Sequence, residues 1–373
     1  MNLKIVRVLQ VGMTKNIGGM ETYLMSQYRN LNFNKVRYDF INLNGEYPIA
    51  FEKEIKENSK IFSVLGRRTH PIRHYWQIAK IIFKNRNQYR YIVLNTCHLY
   101  YIFPLFFAKI VGIPHRIIHS HNSGDEVKIG FFRNLLIRVN RLLMRWAVTE
   151  YWACSGLAGK WMFNDKKFTI IHNAINTTQF TYDVNIRKRM RKSLNIHEGQ
   201  FVVGHVGRFS YQKNHQFVIN VFYEICKKNP DAVLLLVGSV VNDCTYWNNA
   251  KETIGKLGIE KKVKFLGMRS DVSELMQAMD AFLLPSFFEG LPIVGIEAQA
   301  AGLPCFFSDT ITYEINLTKL AHFISLDISP EKWAETIMKE SKIPRRNMQK
   351  EITAAGYDIK QEIEKLEMFY EGN

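Results

Sequence analysis

The residues best suited to chemistry in this 373-residue chain lie in the run Pro285-Ser286-Phe287-Phe288-Glu289-Gly290-Leu291-Pro292-Ile293-Val294-Gly295-Ile296-Glu297-Ala298. Two carboxylates eight positions apart, Glu289 and Glu297, bracket a Gly-Leu-Pro turn. Proline is suited to the first turn of a helix, which puts Glu297 in its second. A carboxylate ending a strand-to-helix loop accepts hydrogen bonds from sugar hydroxyls, while the N–H groups of Gly290 and Leu291 at the helix start suit phosphate oxygens. One carboxylate also accepts both hydroxyls of a vicinal diol, so Glu297 fits a ribose. The plain alternative, acids solvated at a helix start, is poor for Glu297 because Ile296, Ala298, Ala300 and Ala301 surround it with apolar neighbours.

Three other loops carry related chemistry. After Val202-Val203-Gly204-His205-Val206-Gly207, one strand-to-helix loop holds Arg208 and Lys213. A guanidinium and an ammonium there can converge on one diphosphate, with two solvated cations as the bland alternative. Near the amino terminus, Gly12 to Glu21 contains Gly18 and Gly19, which lack side chains where backbone N–H groups and a helix start can approach a phosphate; a simple tight turn explains them equally well. This loop has neither G-x-G-x-x-G nor G-K-[ST], which disfavours dinucleotide and P-loop readings. In Ile117-Ile118-His119-Ser120-His121-Asn122, a histidine leaving a strand can donate to a sugar or polarise a phosphate, although a lone loop histidine is usually inert.

Alternating strands and helices must position these loops. Short runs rich in β-branched residues predict strands at 4–10, 36–42, 91–95, 115–119, 149–153 and 168–171, then at 201–206, 232–237, 263–266, 280–284 and 304–307. Helical patterns fall between them, which is the signature of βαβ units with parallel sheets. The polar stretch 173–199, with the basic cluster Arg187 to Lys192, is expected to be linker plus a helix leading into the second half. Two Rossmann-like domains result, 1–178 and 179–358, expected to face each other across a cleft with ligands at the carboxyl ends of the strands.

Composition narrows the partners. The net charge is +16, and residues 1–178 hold 26 Lys plus Arg against 10 Asp plus Glu, whereas 179–373 hold 24 of each. The excess in the first half points to an anionic partner such as a lipid headgroup, a pyrophosphate or nucleic acid, with a merely soluble basic protein as the bland alternative. Residues 128–146 carry five basic and no acidic side chains, with apolar positions at helical spacing. They predict a basic amphipathic helix able to lie on an anionic membrane, although an apolar stripe ordinarily faces a core. The five cysteines have no C-x-x-C spacing and are expected to be reduced and mostly buried. The first residues lack the uninterrupted apolar run of a secretory signal, and Tyr100 to Ala108 is far short of the ~20 residues that cross a bilayer. A cytoplasmic protein, peripheral on the inner face of the membrane, is the expectation.

Taken together, the Gly18-Gly19-Met20-Glu21 loop, the stretch Gly207 to Asn214 and the run Pro285 to Pro304 resemble the family 4 retaining glycosyltransferases of GT-B fold, whose mark is two glutamates separated by seven residues. The resemblance extends through His119 to Ser123, Arg145 to Phe163 and Phe265 to Ser286, and is strongest to the bacterial exopolysaccharide and capsule branch. It implies a C-terminal domain that binds the nucleotide sugar and an N-terminal domain that binds the acceptor, with the helix 359–371 packing back on the latter. It implies that Arg208 and Lys213 bind the diphosphate, Glu289 the sugar, Glu297 the ribose, Gly290 and Leu291 phosphate oxygens, and Gly18 and Gly19 the phosphate side. His121 or His119 corresponds to the family's histidine near the transferred sugar, and Gly267 and Met268 open the base-recognition loop.

Retention of anomeric configuration, without a protein nucleophile, is likewise implied by the resemblance. No D-x-D metal motif occurs in the sequence, so cationic side chains and backbone N–H groups are expected to meet the leaving-group charge without metal or cofactor. The expected partners are a nucleotide sugar, UDP by analogy, and a lipid-linked saccharide, with no nucleic acid. A nucleotide-sugar epimerase of the same architecture, and a basic membrane or nucleic-acid binding protein with a vestigial site, are the rival readings.

Overall fold

The computed structural model describes residues 5–124, 130–240 and 244–372. The chain divides into two compact units, residues 1–174 with 359–373, and residues 175–358.

In the first unit the chain runs β1 (Val6–Val11), α1 (Gly19–Asn30), β2 (Val36–Asn42), α2 (Glu52–Lys56), β3 (Ile61–Ser63), α3 (Pro71–Asn85) and β4 (Tyr91–Thr96). It continues with α4 (Phe103–Ile110), β5 (His115–Ser120), α5 (Phe131–Ala147), β6 (Glu150–Ala153), α6 (Gly156–Phe163) and β7 (Thr169–Ile170). The seven strands are parallel in the order β3-β2-β1-β4-β5-β6-β7.

The second unit begins with two short helices, α7 (Thr177–Phe180) and α8 (Val184–Ser193), then β8 (Val202–Val206), α9 (His215–Lys228), β9 (Val233–Val237), α10 (Thr245–Lys256) and β10 (Val263–Gly267). α11 (Val272–Ala278), β11 (Ala281–Leu284), α12 (Ile293–Ala300), β12 (Cys305–Ser308), β13 (Ala321–Ile324), α13 (Pro330–Glu340) and α14 (Gln349–Ala354) complete it. Its six parallel strands lie in the order β10-β9-β8-β11-β12-β13. β8, β9 and β11 are buried along their whole length, as a parallel sheet covered on both faces requires. Trp333, Phe222 and Phe306 are among the large side chains that fill this core.

The strand order reverses once in each sheet, between β1 and β4 and between β8 and β11. Connections leave such a pair toward opposite sides, opening a crevice at the carboxyl ends of the two strands. The loops singled out above, after β1, β8 and β11, all leave from these points.

The strand set departs from the sequence expectation at two edges. The edge strands β3 and β13 were not predicted: one is three residues long, and the other is only half-buried, so neither carries a strong apolar pattern. The basic cluster at 187–192, expected near the helix leading into the second half, lies in α8 and is tied into the second unit. Arg187 and Arg191 of α8 each place a guanidinium 2.6 Å from a different oxygen of Asp280, and Arg191 is itself buried.

The closing helix, α15 (Ile359–Glu371), belongs to the first unit. Its Tyr370 is buried against Tyr38, Tyr91 and Trp152, and Glu367 accepts the backbone N–H of Asn32 at 2.7 Å.

Candidate functional site

At the reversal point of the second sheet, the loop after β8 and the loop after β11 are joined by hydrogen bonds. Lys213 Nζ lies 2.7 Å from Glu289 Oε1, and both side chains are largely enclosed. Gln212 Nε2 donates to Glu289 Oε2 at 3.1 Å and to the Phe288 carbonyl at 2.9 Å, while Ser286 Oγ donates to Glu289 Oε1 at 2.9 Å. The Phe287 N–H donates back to the Gln212 carbonyl at 2.9 Å, and Tyr211 stacks on Phe287. Glu289 is thus held by an ammonium, an amide and a hydroxyl, which offset the cost of burying a carboxylate.

Glycines bring the neighbouring loops close. The stem of Lys213 crosses Gly207, where a Cβ would lie 2.9 Å from Lys213 Cδ. At Gly238, φ is +154° and a Cβ would sit 1.9 Å from the Gly207 carbonyl oxygen, so only glycine allows the loop after β9 to touch the loop after β8. The Gly238 N–H donates to the carbonyl of Gly267 at 2.8 Å, and Met268 beside it is exposed. Beneath these loops His205 shares a hydrogen bond with the Leu283 carbonyl at 2.8 Å, and the His215 ring stacks on Phe209.

Two charged residues here are differently placed. Arg208, half-buried in the same loop as Lys213, has no hydrogen bond or ion pair among the described residues. Glu297 stands in the second turn of α12, with Pro292 at the N-cap of that helix. It is 9% exposed and has no partner among the described residues, and burial lifts its carboxyl from the ordinary 4.5 to about 7. A carboxylate so placed is poorly solvated until donors arrive, and a vicinal diol supplies two. Gly290 and Leu291 are buried at the same turn.

The reversal point of the first sheet is built mainly from neutral groups, with Glu21 as a buried carboxylate. Gly12, at φ +120°, would place a Cβ 2.0 Å from the Asn95 carbonyl oxygen, so β1 and the end of β4 meet only through glycine. Glu21 Oε1 accepts the Thr14 hydroxyl at 2.7 Å and the Thr14 N–H at 3.1 Å, bracing the loop before α1. Gly18 is the extended N-cap, without a side-chain cap, and a Cβ at Gly19 would meet nothing within 4 Å. Nothing within the protein therefore requires glycine at position 19, which leaves open space for a ligand.

His119 lies within β5, 1% exposed, with the Tyr23 hydroxyl 3.4 Å from its Nδ1. His121, just past the strand, is half-buried, and burial lowers its pKa to about 3. Asn95 Nδ2 donates to Gln10 Oε1 at 2.9 Å, which makes Asn95 Oδ1 the acceptor for His121 Nε2–H at 3.0 Å. Neutral His121 then keeps an acceptor lone pair on Nδ1.

The structure thus brings Lys213 to Glu289, places Arg208 and Glu297 on the adjoining loop and helix, and separates an enclosed His119 from a more open His121. Gln212, Ser286, Gly238 and Asn95 were not singled out in the sequence. Each acts by binding or clearing space for another residue, which no local spacing records.

The model for glycosyl transferases group 1 matches residues 186–357. Over 379 aligned residues the chain is 30% identical to the glycosyltransferase EpsF of Bacillus subtilis, covering 97% of this chain and 96% of that protein. It is 33% identical over 147 residues, 38% of this chain and 37% of the relative, to the UDP-Gal:alpha-D-GlcNAc-diphosphoundecaprenol alpha-1,3-galactosyltransferase of Escherichia coli. Among solved structures, Anabaena HepE in complex with UDP and glucose matches with a TM-score of 0.74 at 18% identity, covering 98% of this chain and 95% of that one.

Proposed function

The chain belongs to the group 1 glycosyltransferases, and from that membership we propose that it moves a sugar from a nucleoside diphosphate, UDP in our reading, to a lipid-linked saccharide, with retention of anomeric configuration, in surface-polysaccharide assembly. The observation that carries this reading is the arrangement at the second sheet's reversal point: a largely enclosed Lys213–Glu289 pair in the same loop region as an Arg208 that has no partner among the described residues. As the glycosyl bond breaks, negative charge gathers on the departing diphosphate, and fixed cations in a poorly hydrated site stabilise that charge most. Arg208 offers its fork to the diphosphate, and Lys213 adds an ammonium with protons not used by Glu289. Glu289 accepts sugar hydroxyls, Glu297 the ribose diol, and the turn at Gly290 and Leu291 lies against phosphate oxygens. Gly267 and Met268 border the base. Gly18 and Gly19 give phosphate oxygens access to the start of α1, and His121 accepts a hydroxyl of the transferred sugar.

Support for a lipid-linked acceptor comes from α5. Phe131, Phe132, Leu135, Leu136, Val139, Leu142 and Trp146 are exposed along it, with Arg133, Arg138 and Arg145 among them. The sequence reading began this helix at 128; residues 128 and 129 lie outside the described residues. No helix among the described residues is long and apolar enough to cross a membrane, so we assign the exposed face to the headgroup region of the inner leaflet. The name of the E. coli relative supports both a UDP donor and a diphospholipid acceptor.

The test is calorimetric titration with UDP, GDP and their sugars, followed by transfer to a prenyl-diphosphate saccharide. Binding of one nucleotide sugar and acceptor-dependent release of its nucleotide are expected. Failure to bind any of them overturns the reading.

A further inference from the structure

A cavity of about 150 Å³ lies in the first unit, beyond the residues assigned above. Its walls include His98 and Tyr100 from the loop after β4, Asn134 and Arg141 from α5, and Trp161 and Met162 from α6. Its volume admits several waters, enough for a phosphoryl group.

Arg141 is out of balance in this setting. Its Nε is buried with no hydrogen-bond partner, it makes no ion pair among the described residues, and none of the residues lining the cavity is acidic. A buried guanidinium N–H without an acceptor is costly, and the planar fork of arginine matches a phosphate in two bonds at once. The rest of the wall is built to stay in place. The rings of His98 and Tyr100 stack at 5.1 Å, Trp161 stands edge-on to His98 at 6.4 Å, and Asn140 Nδ2 ties α5 to the Leu99 carbonyl at 2.9 Å.

The position on α5 supplies the second argument. Asn134, Ile137 and Arg141 follow helical spacing along the cavity side, whereas Asn140, Met144 and Ala147 form the buried stripe. Arg138 and Arg145 fall on the boundary between the cavity side and the exposed apolar arc. Between Glu57 and Glu150 the chain has 15 Lys and Arg and, as acids, Asp125 and Glu126 alone.

We infer that this cavity is a subsite for a phosphate group carried by a lipid, with the Arg141 guanidinium as its binding group. The inference rests on the membrane-acceptor reading above and gives it a location. The phosphate comes either from the diphosphate of a prenyl-linked acceptor or from a bilayer headgroup.

Both sources are separable with the full chain. Geranyl diphosphate, with geraniol as the phosphate-free control, is titrated by calorimetry against the unmodified protein, Arg141→Gln, Arg141→Lys and Arg145→Gln; phosphatidylglycerol vesicles are then tested by sedimentation. Arg141→Gln is expected to weaken geranyl diphosphate binding about tenfold or more. Arg145→Gln, with the same loss of charge on the same helix, changes it less than twofold. Arg141→Lys falls between, and it carries the test alone if the glutamine variant is unfolded by circular dichroism. Loss of geranyl diphosphate binding with vesicle binding intact assigns the site to the acceptor, and the opposite pattern assigns it to the headgroup. Equal weakening of geranyl diphosphate binding by the Arg141 and Arg145 variants, or no binding of either probe by the unmodified protein, overturns the inference. Titration with UDP in the same preparations reports on the donor reading separately.

Discussion

The two sheet reversals have the same architecture and opposite electrostatics. In the first, Gly12 presses on the Asn95 carbonyl across the reversing pair β1 and β4; in the second, Gly238 presses on the Gly207 carbonyl across the neighbouring pair β8 and β9. The second carries Arg208, Lys213, Glu289 and Glu297. The first carries Tyr23, Asn95, His119 and His121, with both imidazoles kept neutral by burial. One fold therefore yields a rim dominated by fixed charge and a rim dominated by neutral donors and acceptors, its Glu21 carboxylate engaged by Thr14. The basic excess of the first unit is borne in part by the exposed surface of α5.

Four changes would break or sharpen that contrast. The largest effect is expected from Lys213→Met, which leaves Glu289 buried without its counter-charge. Unfolding in urea is expected to show a loss of about 3–5 kcal/mol together with loss of transfer. Adding Glu289→Gln restores part of the stability and none of the turnover. A single Lys213 variant as stable as the parent would show that the charged rim is not internally paired.

Glu297→Gln acts in the other direction. Because the folded carboxyl titrates near 7 against an ordinary 4.5, folding favours the protonated acid, and the stability this gives at low pH is lost as pH rises through 7. The glutamine variant without ligand is therefore expected to be more stable than the parent at pH 8, by on the order of 3 kcal/mol, with the difference vanishing toward pH 4. Nucleotide affinity of the parent should rise with pH through about 7, since the ribose diol binds the ionised form. A flat affinity profile between pH 5 and 8 would remove Glu297 from the ribose.

Arg208→Ala should be nearly silent in stability, within about 0.5 kcal/mol, because the guanidinium has no partner to lose. Its UDP affinity should nevertheless fall roughly 10- to 100-fold by calorimetry. The smallest effect is expected from His121→Ala: about tenfold in kcat/KM, with no new inflection in the pH profile between 5 and 8, since the imidazole is already neutral there. A pH step near 6.5 that disappears in this variant would mean that the first rim is charged after all.

Much of this was legible in the chain itself. β2 was placed at its exact ends, because a run such as Val36-Arg37-Tyr38-Asp39-Phe40-Ile41 is strand-forming wherever it occurs. The burial of Glu297 was legible because Ile296, Ala298 and Ala300 flank it with apolar neighbours. The role of α8 was not legible: Arg187 and Arg191 look like solvated charges until Asp280, some ninety residues away, is folded against them. Asn95 and Gly238 failed for the same reason, since what they touch belongs to other strands. Arg141 looked like one more cation on an amphipathic helix, and only the walls contributed by α6 and the loop after β4 make it unusual.

The return of α15 to the first unit bears on how the protein is made. Tyr370 and Glu367 are needed to fill and bind a body whose other strands are synthesised hundreds of residues earlier. On the ribosome the second unit can finish folding while the first still waits for its last helix. The half that is translated first is thus the half completed last, with Tyr38 and Tyr91 lacking their Tyr370 contact until α15 emerges.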